Sequence, residues 1–125
     1  MADISVYLAN KLLAHVFQAD VYVPPDYVAT SLHTADPQGI GLFEVAGGGY
    51  ARGGPSWDFD VDRWLKTGSI DTFGTMPACT VTHLGCWDSE FGGNFLWQVT
   101  LPVPVDFLAG QDGRIEAGGT HVGIE

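Results

Sequence analysis

Residues Thr80–Leu101 read TVTHLGCWDSEFGGNFLWQVTL, and the way this stretch divides decides the fold. Thr80 to Trp87 and Asn94 to Leu101 are rich in β-branched and aromatic residues, which favour a pleated, half-buried surface. Between them, DSEFGG carries the turn chemistry of a hairpin with a loop of about six residues. The stretch therefore predicts two antiparallel strands.

The same signals continue on both sides. Upstream, Tyr27 to Thr34 predicts a strand closed by a turn at Asp36-Pro37. Gly47-Gly48-Gly49 is too flexible for a strand interior and predicts a loop or bulge. Trp57, Phe59 and Val61 alternate with Asp58, Asp60 and Asp62, the pattern of a half-buried strand. Ser69 to Phe73 predicts a short strand. Downstream, Val103 to Phe107 and Arg114 to Ala117 form a final pair across Leu108–Gly113, and Thr120 to Glu125 is a last strand or an arm.

Only the N-terminus differs. From Asp3 or Ser5 to about Gln18, Ile4, Leu8, Leu12 and Val16, flanked by Leu13 and Phe17, recur at three- and four-residue spacing. Asp3 or Ser5 supplies an N-cap acceptor, and Pro24-Pro25 forbids helical continuation. With one helix visible, parallel βαβ units are excluded, because each would need its own crossover. The expected fold is all-β, an antiparallel β-sandwich or jelly-roll-like barrel with one N-terminal α-helix. Residues 1–125 are expected to form one domain, with the helix in 1–20 and a β-rich body in 27–125. The helix and its flanking segment are expected to seal one end of the sandwich, as a lone amphipathic helix usually covers a sheet, with docking as the alternative.

Composition narrows function. A hydrophobic fraction of 46% and aromatic fraction of 12% argue against disorder. No run approaches the roughly eighteen apolar residues of a membrane span, and the N-terminus lacks a basic region followed by a cleavage site. Fifteen acidic residues against five scattered cations give a formal net charge of −10. Phosphate binding needs clustered Lys and Arg, so neither a nucleic acid nor a membrane is an expected partner.

The residues that could carry chemistry fall short of it. Asp58, Asp60 and Asp62 resemble the start of a calcium loop, but Arg63 stands where that loop wants Gly, and Ser69 where it wants Glu. A solvated acidic row that resists edge pairing is the expected reading. Cys79 and Cys86 lie seven apart, about 20 Å along an extended strand, too far for a disulfide. They are expected to be small buried apolar residues. His83 would sit about 13 Å from Cys79 on a strand, too far to share a zinc ion. His33, Asp36 and a serine make a triad on paper, but no G-x-S-x-G elbow accompanies them. No catalytic residue, metal site or cofactor is expected.

The large side chains are more informative. Trp87 and Trp97, in the hairpin strands, are expected in the core. Trp57, Trp64 and Phe91, near turns or beside the acidic row, are interface candidates together with Tyr50 and Arg52. Arg52 has an expected bidentate carboxylate partner in Glu44, across the Gly47–Gly49 loop.

Leu32–Arg52 (LHTADPQGIGLFEVAGGGYAR) and Thr80–Trp97 (TVTHLGCWDSEFGGNFLW), followed by Ala109-Gly110-Gln111-Asp112, resemble the motifs of a family of small virion structural proteins of tailed double-stranded DNA phages. The likeness runs from the DISVYLANKLLAHVFQ opening to Asp112. It departs at Ala46, where Ser is usual, at Gln111, which interrupts Ala-Gly-Asp, and at Trp57–Trp64, which has no counterpart. The resemblance implies a non-enzymatic protein of the virion, made in the host cytoplasm. Within it, a capsid decoration (cement) protein on the outside of the shell is the first expectation. A chain with its own start and no long shaft favours decoration over a fibre. A tail-fibre or baseplate-associated protein engaging the host surface is the alternative. Expected partners are other copies of the chain, as a homotrimer by analogy with virion proteins, and the major capsid protein or tail components.

Overall fold

The computed structural model describes residues 2–61, 64–116 and 121–123, with side chains for all of these except 2, 3, 59–61, 64, 66 and 121–123. In chain order the elements are β1 (Ala2–Ile4), α1 (Val6–Gln18), β2 (Ala29–His33), β3 (Gly49–Tyr50), β4 (Trp57–Val61), β5 (Trp64–Thr67), β6 (Asp71–Thr75), β7 (Cys79–Trp87), β8 (Phe95–Phe107), β9 (Asp112–Ile115) and β10 (His121–Gly123). The fold is all-β with one N-terminal helix, and every strand pairing is antiparallel.

The hairpin β7–β8 is the spine. With β2 outside β7 and β1 outside β8 it makes a four-stranded sheet in the order β1-β8-β7-β2. A three-stranded sheet, β3-β6-β9, packs over one face, and the two enclose Leu32, Val45, Phe73, Met76, Val81 and Leu84. The same face continues through Cys86 and Trp97, where Leu8 and Tyr7 of α1 and Trp57 of β4 cover it. The third sheet, β10-β5-β4, follows from there. Two facing antiparallel sheets around an apolar layer are a β-sandwich.

Two features of β8 depart from the simple reading. Asn94–Leu101 and Val103–Phe107, expected as separate strands, form one strand of 13 residues. The partner register jumps from Val81↔Val105 to His83↔Thr100, so Leu101–Pro104 bulge out opposite Thr82. Pro102 and Pro104 have no N–H to give the ladder, and a bulge accommodates them. A second shift leaves Leu96 as an extra residue between Cys86↔Trp97 and Trp87↔Phe95. The expected pairing of Val103–Phe107 with Arg114–Ala117 does not form: β8 ends against Cys79–Val81, and β9 pairs with β6. The Gly47–Gly49 run closes a turn with Gly47 and Gly48 at positive φ, and Gly49 opens β3.

Ser5 caps α1, its Oγ accepting from Leu8 N at 3.1 Å, and Ala19 ends the helix in the left-handed region. No residue of the helix is buried. Leu8 and Tyr7 rest on the sheet, while Val6, Leu13, Val16 and Phe17 face solvent, so the expected seal is partial.

Candidate functional site

The two motif blocks meet on the other face of the four-stranded sheet. Residues alternate across a strand, so Ala29, Ser31 and His33 of β2 lie on the face opposite Leu32. Register places Ser31 beside Gly85 and Ala29 beside Trp87. The segment 34–44 folds back over them, held by hydrogen bonds from Thr34 N to Phe43 O and from Val45 N to Leu32 O.

A directional chain of hydrogen bonds runs through this layer. Trp87 Nε1–H donates to Ser31 Oγ at 2.9 Å, and Ser31 Oγ lies 2.7 Å from His33 Nε2. His33 Nδ1 lies 2.7 Å from Leu42 O. A carbonyl only accepts, so Nδ1 carries the proton and Nε2 accepts from the serine hydroxyl. Burial, the largest influence, holds the imidazole below its ordinary pKa and keeps it neutral, against the opposing pull of the Leu42 carbonyl. Phe95 packs edge-on against both His33 and Trp87, with ring centres 5.8 Å and 5.1 Å away.

Ser31 and His33 have the spacing of a nucleophile and its base, yet both are 0% exposed. Asp36, the third member on paper, is engaged elsewhere, accepting from Gln98 Nε2 and Gln38 N. The serine hydroxyl is committed between Trp87 and His33, and no substrate can reach it. This is a structural polar core.

Arg52 closes the layer. Nε and Nη2 grip the Glu44 carboxylate, both at 2.9 Å, and Nη1 donates to Ser89 O at 3.0 Å and Gly92 O at 2.7 Å. The guanidinium carbon lies 3.9 Å from the centre of the Trp87 ring. The bidentate pair with Glu44 is the one the sequence predicts. Tyr50 completes it: its hydroxyl donates to Glu44 Oε2 and accepts from Leu32 N, each at 3.0 Å. Burial, and then the Glu44 charge, push the phenol above its ordinary pKa.

These bonds shape the 88–94 loop. Asp88 accepts from Asn94 N at 2.7 Å and from Asn94 Nδ2 at 2.9 Å, closing the loop at its base. Ser89 Oγ bonds both backbone groups of Phe91. With Arg52 holding Ser89 and Gly92 from below, Phe91 stands 81% exposed at the tip. Beside it lies an open cleft of 320 Å³ lined by Glu44, Tyr50, Arg52 and Glu90. Ile40 and Phe43, in the loop that packs over Trp87, are also exposed apolar side chains, and Phe43 sits at φ 61°.

The interface candidates thus separate. Tyr50, Arg52 and Phe91 share one cleft, where Tyr50 and Arg52 act as supports and Phe91 is the exposed member. Trp57 is half-buried beneath α1 and, with Leu8 and Trp97, lines an apolar pocket of 230 Å³. Its indole N–H and that of Trp97 are buried without a partner among the described residues. The Trp64 side chain lies outside the described residues, as do Asp62 and the side chain of Asp60; Asp58 is exposed. Cys79 and Cys86 are free thiols, half-buried and buried. Trp87 and Trp97 are in the core as expected. Ile40 and Phe43 escaped the sequence reading, since their exposure depends on a turn with Gln38, Gly39, Gly41 and Phe43 all at positive φ.

The family described as Podophage GP4 fiber I protein gp80 matches residues 3–123. The chain belongs to this family. No curated protein matches it. Membership makes the chain a phage virion structural protein. In this phage fibre family member, the two motif blocks supply both the internal network around Trp87 and Arg52 and the exposed side chains Ile40, Phe43 and Phe91.

Proposed function

We propose that the chain is a fibre component of the virion that engages the host surface, with the 88–94 loop as its principal contact. The family description supports a fibre. The observation that carries the contact is Phe91, an exposed aromatic on a loop whose backbone is fixed by Asp88, Ser89 and Arg52. A pre-ordered aromatic loses little conformational freedom on binding, which is why such side chains serve as anchors. Binding proceeds by shape and contact and uses no reacting group.

Capsid decoration is the second reading. The apolar character of Ile40, Phe43 and Phe91 favours it, since apolar side chains suit a protein partner such as a shell subunit. The test mixes purified protein with host cells and, separately, with empty capsids. Saturable binding to cells alone supports the fibre reading. Saturable binding to capsids alone makes decoration the function.

A further inference from the structure

Helix α1 leaves most of its apolar arc uncovered. At 100° per residue, Leu8 and Leu12 project toward one edge of its apolar arc, and these are half-buried. The rest of the arc holds Val6, Ala9, Leu13, Val16 and Phe17, of which Val6, Leu13, Val16 and Phe17 are 56 to 79% exposed. Val6, Ala9, Leu13 and Val16 are spaced three, four and three apart, the a/d rhythm that packs one helix against another. Past the Ala19 cap, Tyr22 N donates to His15 Nδ1 and ties the following segment to the last helical turn, with Val21 and Val23 also exposed.

We propose that this face is the contact between copies of this chain, α1 packing against α1 of a second copy. A seam of this rhythm accepts a second helix, and α1 is the one helix among the described residues. Charge points the same way. The chain carries a formal −10, so copies repel one another over most of their surface, yet Ile4–Ala19 contains no Asp or Glu. Like copies approach most easily there. The exposed apolar side chains of α1 and of Val21 and Val23 offer on the order of 600 Å² per copy, approaching the ~800 Å² per partner of a standard interface.

The experiment measures the solution mass of the full chain by light scattering over about a hundredfold range of concentration. The comparison is with Leu13→Glu/Val16→Glu and with Phe91→Ser, each checked for folding by circular dichroism. The wild-type chain is expected at a multiple of 13.4 kDa and the double variant at 13.4 kDa. Phe91→Ser is expected to keep the wild-type mass, which separates this contact from the proposed loop contact. A wild-type chain at 13.4 kDa throughout, or a folded double variant that keeps the multiple, overturns the proposal; in the first case the seam serves another virion protein.

Discussion

Arg52 lies with its guanidinium carbon 3.9 Å from the centre of the Trp87 ring, joining the Leu32–Arg52 block to the Thr80–Trp97 block at one contact. The stacking uses the face of the guanidinium and leaves its edge free for Glu44, Ser89 and Gly92. Planarity makes both possible at once, and a lysine offers neither the fork nor the face. The Arg52–Glu44 side chains are 10% and 21% exposed, so solvent screens the pair only partly.

Arg52→Ala therefore destabilises the fold by about 2–3 kcal/mol, less than a fully buried pair would lose. Arg52→Lys recovers little of this. Urea unfolding checks it: a midpoint within error of wild type for Arg52→Lys contradicts the role assigned to the fork.

Ser31→Ala removes the link between Trp87 and His33 and leaves a donor and an acceptor buried without partners. The expected loss is about 2 kcal/mol. If thermal unfolding shows no loss, the hydroxyl does not hold the layer together.

Asp71 is buried, with Oδ2 accepting from Thr30 and Oδ1 without a partner among the described residues. Burial raises its carboxyl to about 6, although the Thr30 hydrogen bond opposes the shift. The folded state thus binds the proton more tightly than the unfolded chain does. The stabilisation is full below about pH 4 and disappears as pH rises through 6, leaving a buried carboxylate. Asp71→Asn should stabilise the protein by about 1–2 kcal/mol at pH 8 and change little at pH 4. Equal effects at both pH values would contradict this. His33 contributes with the opposite sign. Its lowered pKa means stability is present above about 6.5 and is lost as pH falls below it.

Gly85 sits where β7 passes beneath Phe95 and His33. A Cβ there would meet Phe95 Cε1 at 2.5 Å and His33 Nε2 at 2.9 Å. Gly85→Ala must displace the Phe95 ring from its edge contacts and should cost about 2 kcal/mol or more. Near-ultraviolet circular dichroism should report the disturbed Trp87 environment; an unchanged spectrum and midpoint would show the packing to be looser than described.

Local signals carried much of this fold into the sequence. Alternation in Trp57–Val61, turn residues at 88–93 and the proline stop after α1 each act within a few residues, and each predicts its element. The Arg52–Glu44 pair was legible for a related reason: few cations were available, and a glycine turn brought the two close in sequence. Nonlocal features were not legible. The pairing of β9 with β6 joins Asp71 to Ile115, far apart in the chain, and the exposure of Leu13, Val16 and Phe17 depends on how little of α1 the sheet covers. Amphipathic spacing shows that a face is apolar, without showing what will cover it. The Trp87–Ser31–His33 chain joins residues 56 positions apart, and nothing local announces it.

Saturable binding of Phe91→Ser to host cells, compared with wild type at matched stability, tests the central claim most directly. An exposed tip supported from below predicts an unchanged unfolding midpoint with binding weakened about tenfold or more. A folded Phe91→Ser protein that binds cells as tightly as wild type would contradict the account.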